Sequence, residues 1–176
     1  MNRTIVRCAL LGIFIVIVVA YTVHIVTDDD RLDFNDKVVV AISLPNSKYE
    51  VFTRYIEIYR GGEEVSVAAM EFERDELAAI VRQGAESLSE IEAPDDELCR
   101  EFYRNSVAYI DNLQEIVVKY KEVIAYISEH NPGEKGDFAA AVKPLKELRN
   151  AEGKLLAAIM TSQKRLLEKL KQALEQ

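Results

Sequence analysis

The chain has 176 residues and a formal net charge of −8, and an acidic surface of this kind repels nucleic-acid phosphates, so no DNA or RNA binding is predicted. It contains no Trp, 7 Gly and 4 Pro, a composition that favours helices over a turn-rich β-sandwich. Its two cysteines, Cys8 and Cys99, lie in unlike parts of the chain, which excludes a disulfide-based scaffold.

Residues Cys8–Val26 form a long apolar stretch that contains no charged side chain. At ~1.5 Å per residue a helix of about 19 residues crosses the ~30 Å hydrocarbon layer, so residues 8–26 are predicted to contact the lipid bilayer as a single transmembrane anchor. Arg3 and Arg7 precede the span, and aspartates 28–30 follow it. The positive-inside tendency then predicts a cytoplasmic N-terminus and a C-terminal domain outside the cytoplasm, in the periplasm or at the cell surface.

A cleaved signal peptide is the alternative to a retained anchor. Val18-Val19-Ala20 offers a weak cleavage site after a basic start. The apolar run continues past Ala20 to Val26, which favours retention. His24 lies near the outer end of the span, where a position at the headgroup level is favoured over a functional intramembrane group.

The chain is predicted to have three parts: residues 1–27 form a cytoplasmic tip and the anchor, residues 28–46 a juxtamembrane spacer, and residues 47–176 an extracytoplasmic helical bundle. The spacer begins with the polar segment Thr27–Lys37. Val38–Ser43 follows as a β-branched run that ends before Pro45, and its length fits a strand and a short helix equally well.

The first helix of the bundle is predicted to begin at Ser47, which forms a capping box with Glu50. Apolar residues then follow on one helical face, namely Phe52, Tyr55, Ile56 and Tyr59. Gly61-Gly62 is expected to stop or kink this helix. A β-hairpin over residues 55–67 is the alternative, because Ile56/Ile58 and Val65/Val67 alternate on either side of the glycines.

Three further helices are predicted, at Glu63–Glu92, Pro94–Glu129 and Phe138–Leu174. Pro94 suits a first helical position, and the acidic residues 95–97 suit the positive end of the helix dipole. The Asn-Pro-Gly sequence after His130 separates the last two helices. Pro144 is expected to kink the last helix, because it removes one backbone hydrogen bond.

Each of these helices has apolar residues on one face. In the second helix they are Met70, Leu77, Ile80, Val81, Gly84, Leu88 and Ile91. In the third they are Phe102, Ser106, Tyr109, Leu113, Ile116, Tyr120, Val123 and Ile127, widened by Ile110, Val117 and Ile124. In the last they are Val142, Leu145, Leu148, Leu155, Ile159, Leu166 and Leu170. The third set repeats every 3.5 residues, as in a coiled-coil-like bundle, and is wide enough to meet at least two neighbouring helices.

The predicted fold class is therefore all-α, with an N-terminal transmembrane helix followed by an antiparallel up-and-down bundle of three to four long helices.

No catalytic, cofactor-binding or metal-binding residues are predicted. Two His are too few for a di-iron carboxylate bundle, and no zinc, haem, P-loop or nucleophile-elbow motif occurs. His130 is expected to act in a loop or helix cap, and Cys99 as a small buried residue, with an intermolecular disulfide or reactive thiol as its alternative. A solvated helix face is preferred over a cation site for the acidic group Glu71, Glu73, Asp75 and Glu76.

Two further groups of side chains have competing interpretations. Seven tyrosines follow the anchor: Tyr49, Tyr55, Tyr59, Tyr103, Tyr109, Tyr120 and Tyr126. They are expected at the edge of the core rather than around a ligand pocket between helices. Basic residues gather near the end of the last helix: Lys164, Arg165, Lys169 and Lys171. A solvated face is favoured for them over a site for anionic lipid or an acidic partner.

These patterns favour a non-enzymatic, membrane-anchored interaction or scaffolding module, with a protein partner or a second copy of the chain bound through the helical bundle. The alternative is a ligand-sensing four-helix domain, which would need a membrane partner because no second apolar span follows. An enzyme with a site built from Glu and Tyr is the least favoured hypothesis.

Overall fold

The computed structural model describes residues 30–130 and 138–174, with the side chains of residues 47–52 and 173–174 left out. Within these ranges the chain forms four α-helices and no strand: α1 (Asp30–Arg60), α2 (Val67–Ser89), α3 (Glu97–Glu129) and α4 (Phe138–Leu174). The all-α class is confirmed for this part of the chain. No helix in it is both long and apolar enough to cross a membrane. The predicted anchor, residues 8–26, lies outside the described residues.

Helix α1 begins much earlier than predicted, and both the spacer over residues 30–46 and a helix start at Ser47 are wrong. Asp30 and Asp33 occupy its first turn, where carboxylates favour the positive end of the helix dipole. The buried apolar residues of this part lie on one side of the helix, and they are Phe34, Val38, Val39, Ala41 and Ile42. Pro45 does not end the helix, which continues for four more turns.

The end of α1 is fixed by a glycine in a left-handed conformation. Gly62 has φ 88°, its amide donates to the Tyr59 carbonyl at 3.0 Å, and the Glu63 amide donates to the Ile58 carbonyl at 3.3 Å. This pair of hydrogen bonds is a Schellman motif, which requires a positive φ that glycine adopts without strain. The predicted stop at Gly61-Gly62 is confirmed, and the hairpin over residues 55–67 is wrong.

Helices α2 and α3 are both shorter than predicted at their first ends. Ser66 caps α2, and its hydroxyl accepts from the Ala69 amide at 3.3 Å. Asp96 caps α3, and its carboxylate accepts from the Leu98 amide at 2.9 Å. Pro94 therefore lies in the preceding turn and not at the first helical position, since the Asp96 side chain offers the better partner for the first amides. Helix α4 has the predicted bounds and contains Pro144.

The helix directions follow from contacts at the two ends of the bundle. The rings of Phe34 and Phe102 lie 6.1 Å apart near the starts of α1 and α3, so these helices run parallel. The Tyr59 hydroxyl donates to the His130 carbonyl at 3.1 Å at their other ends. Helix α4 begins beside this second end, where the rings of Phe138 and Tyr59 lie 5.1 Å apart, and it ends near Asp96, where Lys169 lies 2.6 Å from the carboxylate. The end of α2 lies beside the start of α3, because the Tyr103 hydroxyl donates to the Leu88 carbonyl at 2.8 Å. The four helices thus alternate in direction along the chain.

Helix α3 lies at the centre of the bundle and packs against α1, α2 and α4. The residues predicted on its inner face are buried: Phe102, Ser106, Tyr109, Leu113, Ile116, Tyr120, Val123 and Ile127. Ile110 and Ile124 are buried beside them. The prediction that so wide a face needs at least two neighbouring helices is therefore confirmed.

Candidate functional site

A groove lies between the first three turns of α1 and the segment that follows α2. It has a volume of about 900 Å³ and is open to solvent. Its lining comprises Asp30, Asp33, Phe34, Asp36, Lys37, Val40 and Ala41 from α1, and Ser87, Glu90, Ile91, Glu92, Ala93 and Pro94 from the end of α2 and the following turn. We call this surface the α1 groove.

The floor of the α1 groove is apolar, and one of its residues projects into solvent. A helix cannot bury every member of the run VVVAI, because successive side chains point about 100° apart around its axis. Val38 is fully buried, whereas Val40 is 71% exposed and Leu44, one turn on, is 48% exposed. Val40 and Leu44 form an apolar strip on the outside of α1 that continues the floor of the groove.

The rim of the α1 groove is strongly acidic. Five carboxylates line it, and the only cation among its lining residues is Lys37, which is 2.5 Å from Asp33 in an ion pair. The C-terminal end of α2 also faces this region, and the carbonyls at a helix end carry partial negative charge. The groove therefore combines apolar contact area with a field that attracts cations.

A network of charges beside the α1 groove holds three helices in place. Asp96 caps α3 and lies 2.6 Å from Lys169 of α4 and 3.8 Å from Arg31 of α1, while its own side chain is only 8% exposed. The hydrogen bond from Lys169, with those from the Leu98 and Cys99 amides, holds the pKa of Asp96 below its ordinary value despite the opposing effect of burial. This network fixes the end of the bundle that carries the groove.

Buried hydrogen bonds link α1 to the rest of the bundle further along. The Gln163 amide donates to Asn35 Oδ1 at 2.9 Å, and both side chains are buried. The Tyr109 hydroxyl donates to Asn46 Oδ1 at 2.7 Å. Buried polar pairs of this kind are satisfied in only one alignment of the helices, so they fix the register of α1 against α3 and α4.

Tyr55, Tyr103 and Tyr126 are half-buried at the edge of the core, as predicted, whereas the predicted edge position is wrong for Tyr59, Tyr109 and Tyr120, which are buried. None of these tyrosines lines the α1 groove. Three of them donate to other helices or turns: Tyr59 to the His130 carbonyl, Tyr103 to the Leu88 carbonyl and Tyr109 to Asn46. Tyr126 stacks on the His130 ring with centroids 4.0 Å apart. These hydroxyls and rings join helices, and the side chain of Tyr49 lies outside the described residues.

His130, Cys99 and the acidic group of α2 all have positions that fit a role in the structure of the bundle. His130 is the C-cap of α3, in agreement with the predicted loop or cap role. Cys99 is fully buried, as predicted. In the acidic group of α2, Asp75 pairs with Arg74 at 2.6 Å. No three His, Cys, Asp or Glu side chains come together in a metal-binding arrangement within residues 30–130 and 138–174.

The basic residues near the end of α4 mostly pair with acidic residues. Lys169 contacts Asp96 at 2.6 Å, Arg165 contacts Glu101 at 3.3 Å and Lys164 contacts Glu168 at 3.7 Å. Two of these pairs join α4 to the start of α3. All of these side chains are exposed, at 50–76% for the three that form these pairs, so the predicted solvated face is confirmed and the ion pairs form at its surface.

The α1 groove is not predicted from the sequence, because residues 28–46 are expected to form a spacer. A signal for it was present, since Val40 and Leu44 fall off the stripe formed by Phe34, Val38 and Ile42. Comparison with protein-family models, with curated proteins and with solved structures finds no match to this chain. No function is therefore carried over from a relative.

Proposed function

We propose that this chain is a single-pass, membrane-anchored helical bundle that lies outside the cytoplasm and acts as a non-enzymatic interaction module. The observation that supports this proposal best is the α1 groove, where an apolar strip and an acidic rim lie on one surface. Such a combination is typical of protein interaction sites, in which an apolar centre contributes affinity and charges contribute specificity.

The position of the groove fits an anchored module. Helix α1 begins at Asp30, only four residues after the last residue of the predicted span, Val26. Asp30 itself lines the groove. A partner bound there would lie close to the bilayer surface, where another membrane protein presents its own juxtamembrane segment.

The topology is tested by labelling intact cells with a membrane-impermeant maleimide. Gln176→Cys is expected to react in intact cells, and Thr4→Cys only after lysis. The unsubstituted chain is the control, because its Cys99 is fully buried. Labelling of Thr4→Cys in intact cells, without labelling of Gln176→Cys, would overturn the proposed orientation.

The interaction role is tested by cross-linking membranes that contain the full chain and then purifying it. A discrete adduct with a second protein is expected. Recovery of a tightly bound small molecule without any protein adduct would instead support the ligand-sensing alternative. Release of the uncross-linked chain from membranes by alkaline carbonate would contradict the anchor.

A further inference from the structure

We propose that the α1 groove binds a basic amphipathic helix of a partner protein. This inference rests on the proposed function, because it assigns the partner class of the same surface. Its three supports are the shape of the groove, the composition of its floor and the distribution of charge around its rim.

The shape of the groove suits a helix. Its lining residues on α1 extend from Asp30 to Ala41, a length of about 17 Å at ~1.5 Å per residue. About three turns of a second helix cover that length. One wall of the groove is the helix α1 and the other is the end of α2 with the turn that follows it, and no strand edge occurs among the described residues, so an extended segment would find no sheet to join there.

The floor requires an apolar face on the ligand. Phe34, Ala41 and Ile91 form the floor, and Val40 extends it onto the exposed side of α1. A helix with apolar residues at i, i+3, i+4 and i+7 would cover this strip and remove Val40 from water. A small polar cation or a polyamine would leave it exposed.

The rim requires positive charge on the same ligand. Five carboxylates and one ammonium give the lining a formal charge of −4. They are spread along both walls and do not converge on one point, and no metal-binding group of three occurs in the described residues. A row of Lys and Arg side chains flanking an apolar face matches this distribution, whereas an anionic lipid surface would be repelled.

The test uses the full chain in phosphatidylcholine nanodiscs and a fluorescent 14-residue peptide with Leu on one helical face and Lys on the other. Asp33→Asn/Asp36→Asn/Glu90→Gln removes rim charge, and Val40→Ser removes apolar contact at an exposed position. The matched controls are Glu57→Gln/Glu63→Gln/Glu64→Gln at the far end of α1, and Val118→Ser on α3, which is 61% exposed.

We expect the peptide to bind the unsubstituted chain, with Kd raised about tenfold or more by the three rim substitutions and about threefold by Val40→Ser. Both controls should leave Kd within about twofold. A peptide with Gln in place of Lys should bind at least tenfold more weakly.

Equal effects of the rim and control substitutions, equal binding of the Gln peptide, or no binding would each overturn the assignment. The proposed function is tested independently of this binding assay, because it depends on the topology and cross-linking results above. A protein adduct in membranes together with a failed peptide titration would leave the interaction module standing and remove the basic helix as its ligand.

Discussion

At Gly84 there is no room for even one additional carbon. A Cβ built there would lie 2.8 Å from the Ala41 carbonyl oxygen and 3.0 Å from Cγ of Pro45. Pro45 and Ala41 belong to the facing helix α1. Because Pro45 has no N–H, the Ala41 carbonyl lacks its usual hydrogen-bond donor within that helix. Gly84 lets α2 approach that carbonyl closely, where its Cα–H can form a weak contact.

Gly84→Ala should therefore destabilise the bundle, although Ala is the better helix former. We expect a loss of about 1–3 kcal/mol in the free energy of unfolding, because the obstacle is backbone and cannot rotate away. Urea unfolding measures this directly. Gly153→Ala is the matched control, since nothing lies within 4 Å of its Cβ position, and it should be neutral or stabilising. A similar gain in the free energy of unfolding for Gly84→Ala and Gly153→Ala would contradict the close approach of α2 to the Ala41 carbonyl.

Asp96 makes the stability depend on pH. Its pKa in the folded chain lies below the ordinary 3.8, so its contribution is complete above about pH 5 and is lost as the pH falls through the folded pKa. Asp96→Asn keeps a good N-cap but removes the charge, and should cost about 1 kcal/mol at pH 7 and progressively less as the pH falls through the folded pKa of Asp96. Asp96→Ala should cost about 1 kcal/mol more at both pH values.

Chemical unfolding of these two variants at pH 7 and pH 3 separates the contribution of the ion pairs to the free energy of unfolding from that of the N-cap. Glu97→Gln, at a neighbouring exposed carboxylate, is the control and should change the pH dependence much less. An Asn variant with the same pH dependence as the unsubstituted chain would show that the Lys169 contact does not act on Asp96.

At the scale of the elements, the Asn35–Gln163 hydrogen bond is the buried polar link between α1 and α4. Asn35→Leu should cost about 1–3 kcal/mol, because it leaves the Gln163 amide buried without that partner. Asn35→Leu/Gln163→Met should recover most of this loss, since both polar groups are then removed. Unfolding of the single and double variants gives the coupling energy, and additive losses would show that the two residues act independently.

The bounds of a helix could be predicted where its apolar residues repeat regularly and a helix-breaking sequence precedes it. The start of α1 could not be predicted in this way. Helix α4 has its predicted bounds because an Asn-Pro-Gly break precedes a long repeating face. In α1, Pro45 and the polar residues before Val38 suggested a boundary, but neighbouring helices stabilise the segment through Phe34, Val38 and Ile42. Local sequence signals do not contain that tertiary contribution. The groove depends on α1 and was missed with it.

At the scale of the whole molecule, residues 30–46 belong to the folded unit. They contribute Phe34, Val38 and Ile42 to the core and one wall of the α1 groove. A chain that begins at residue 47 should therefore lose cooperative thermal unfolding, whereas one that begins at residue 28 should keep it. Circular dichroism during heating checks this, and a cooperative transition in the shorter chain would contradict the structure.

The proposed function requires the α1 groove to contact a partner protein. The most direct measurement places a photo-reactive phenylalanine analogue at position 40 or, as the control, at position 118, and irradiates intact cells. Both native residues are exposed valines, at 71% and 61%. We predict a discrete protein adduct from position 40 alone, with the cross-linked peptide lying in a segment rich in Lys and Arg. Equal adducts from both positions, or none from position 40, would contradict contact between the α1 groove and a partner protein.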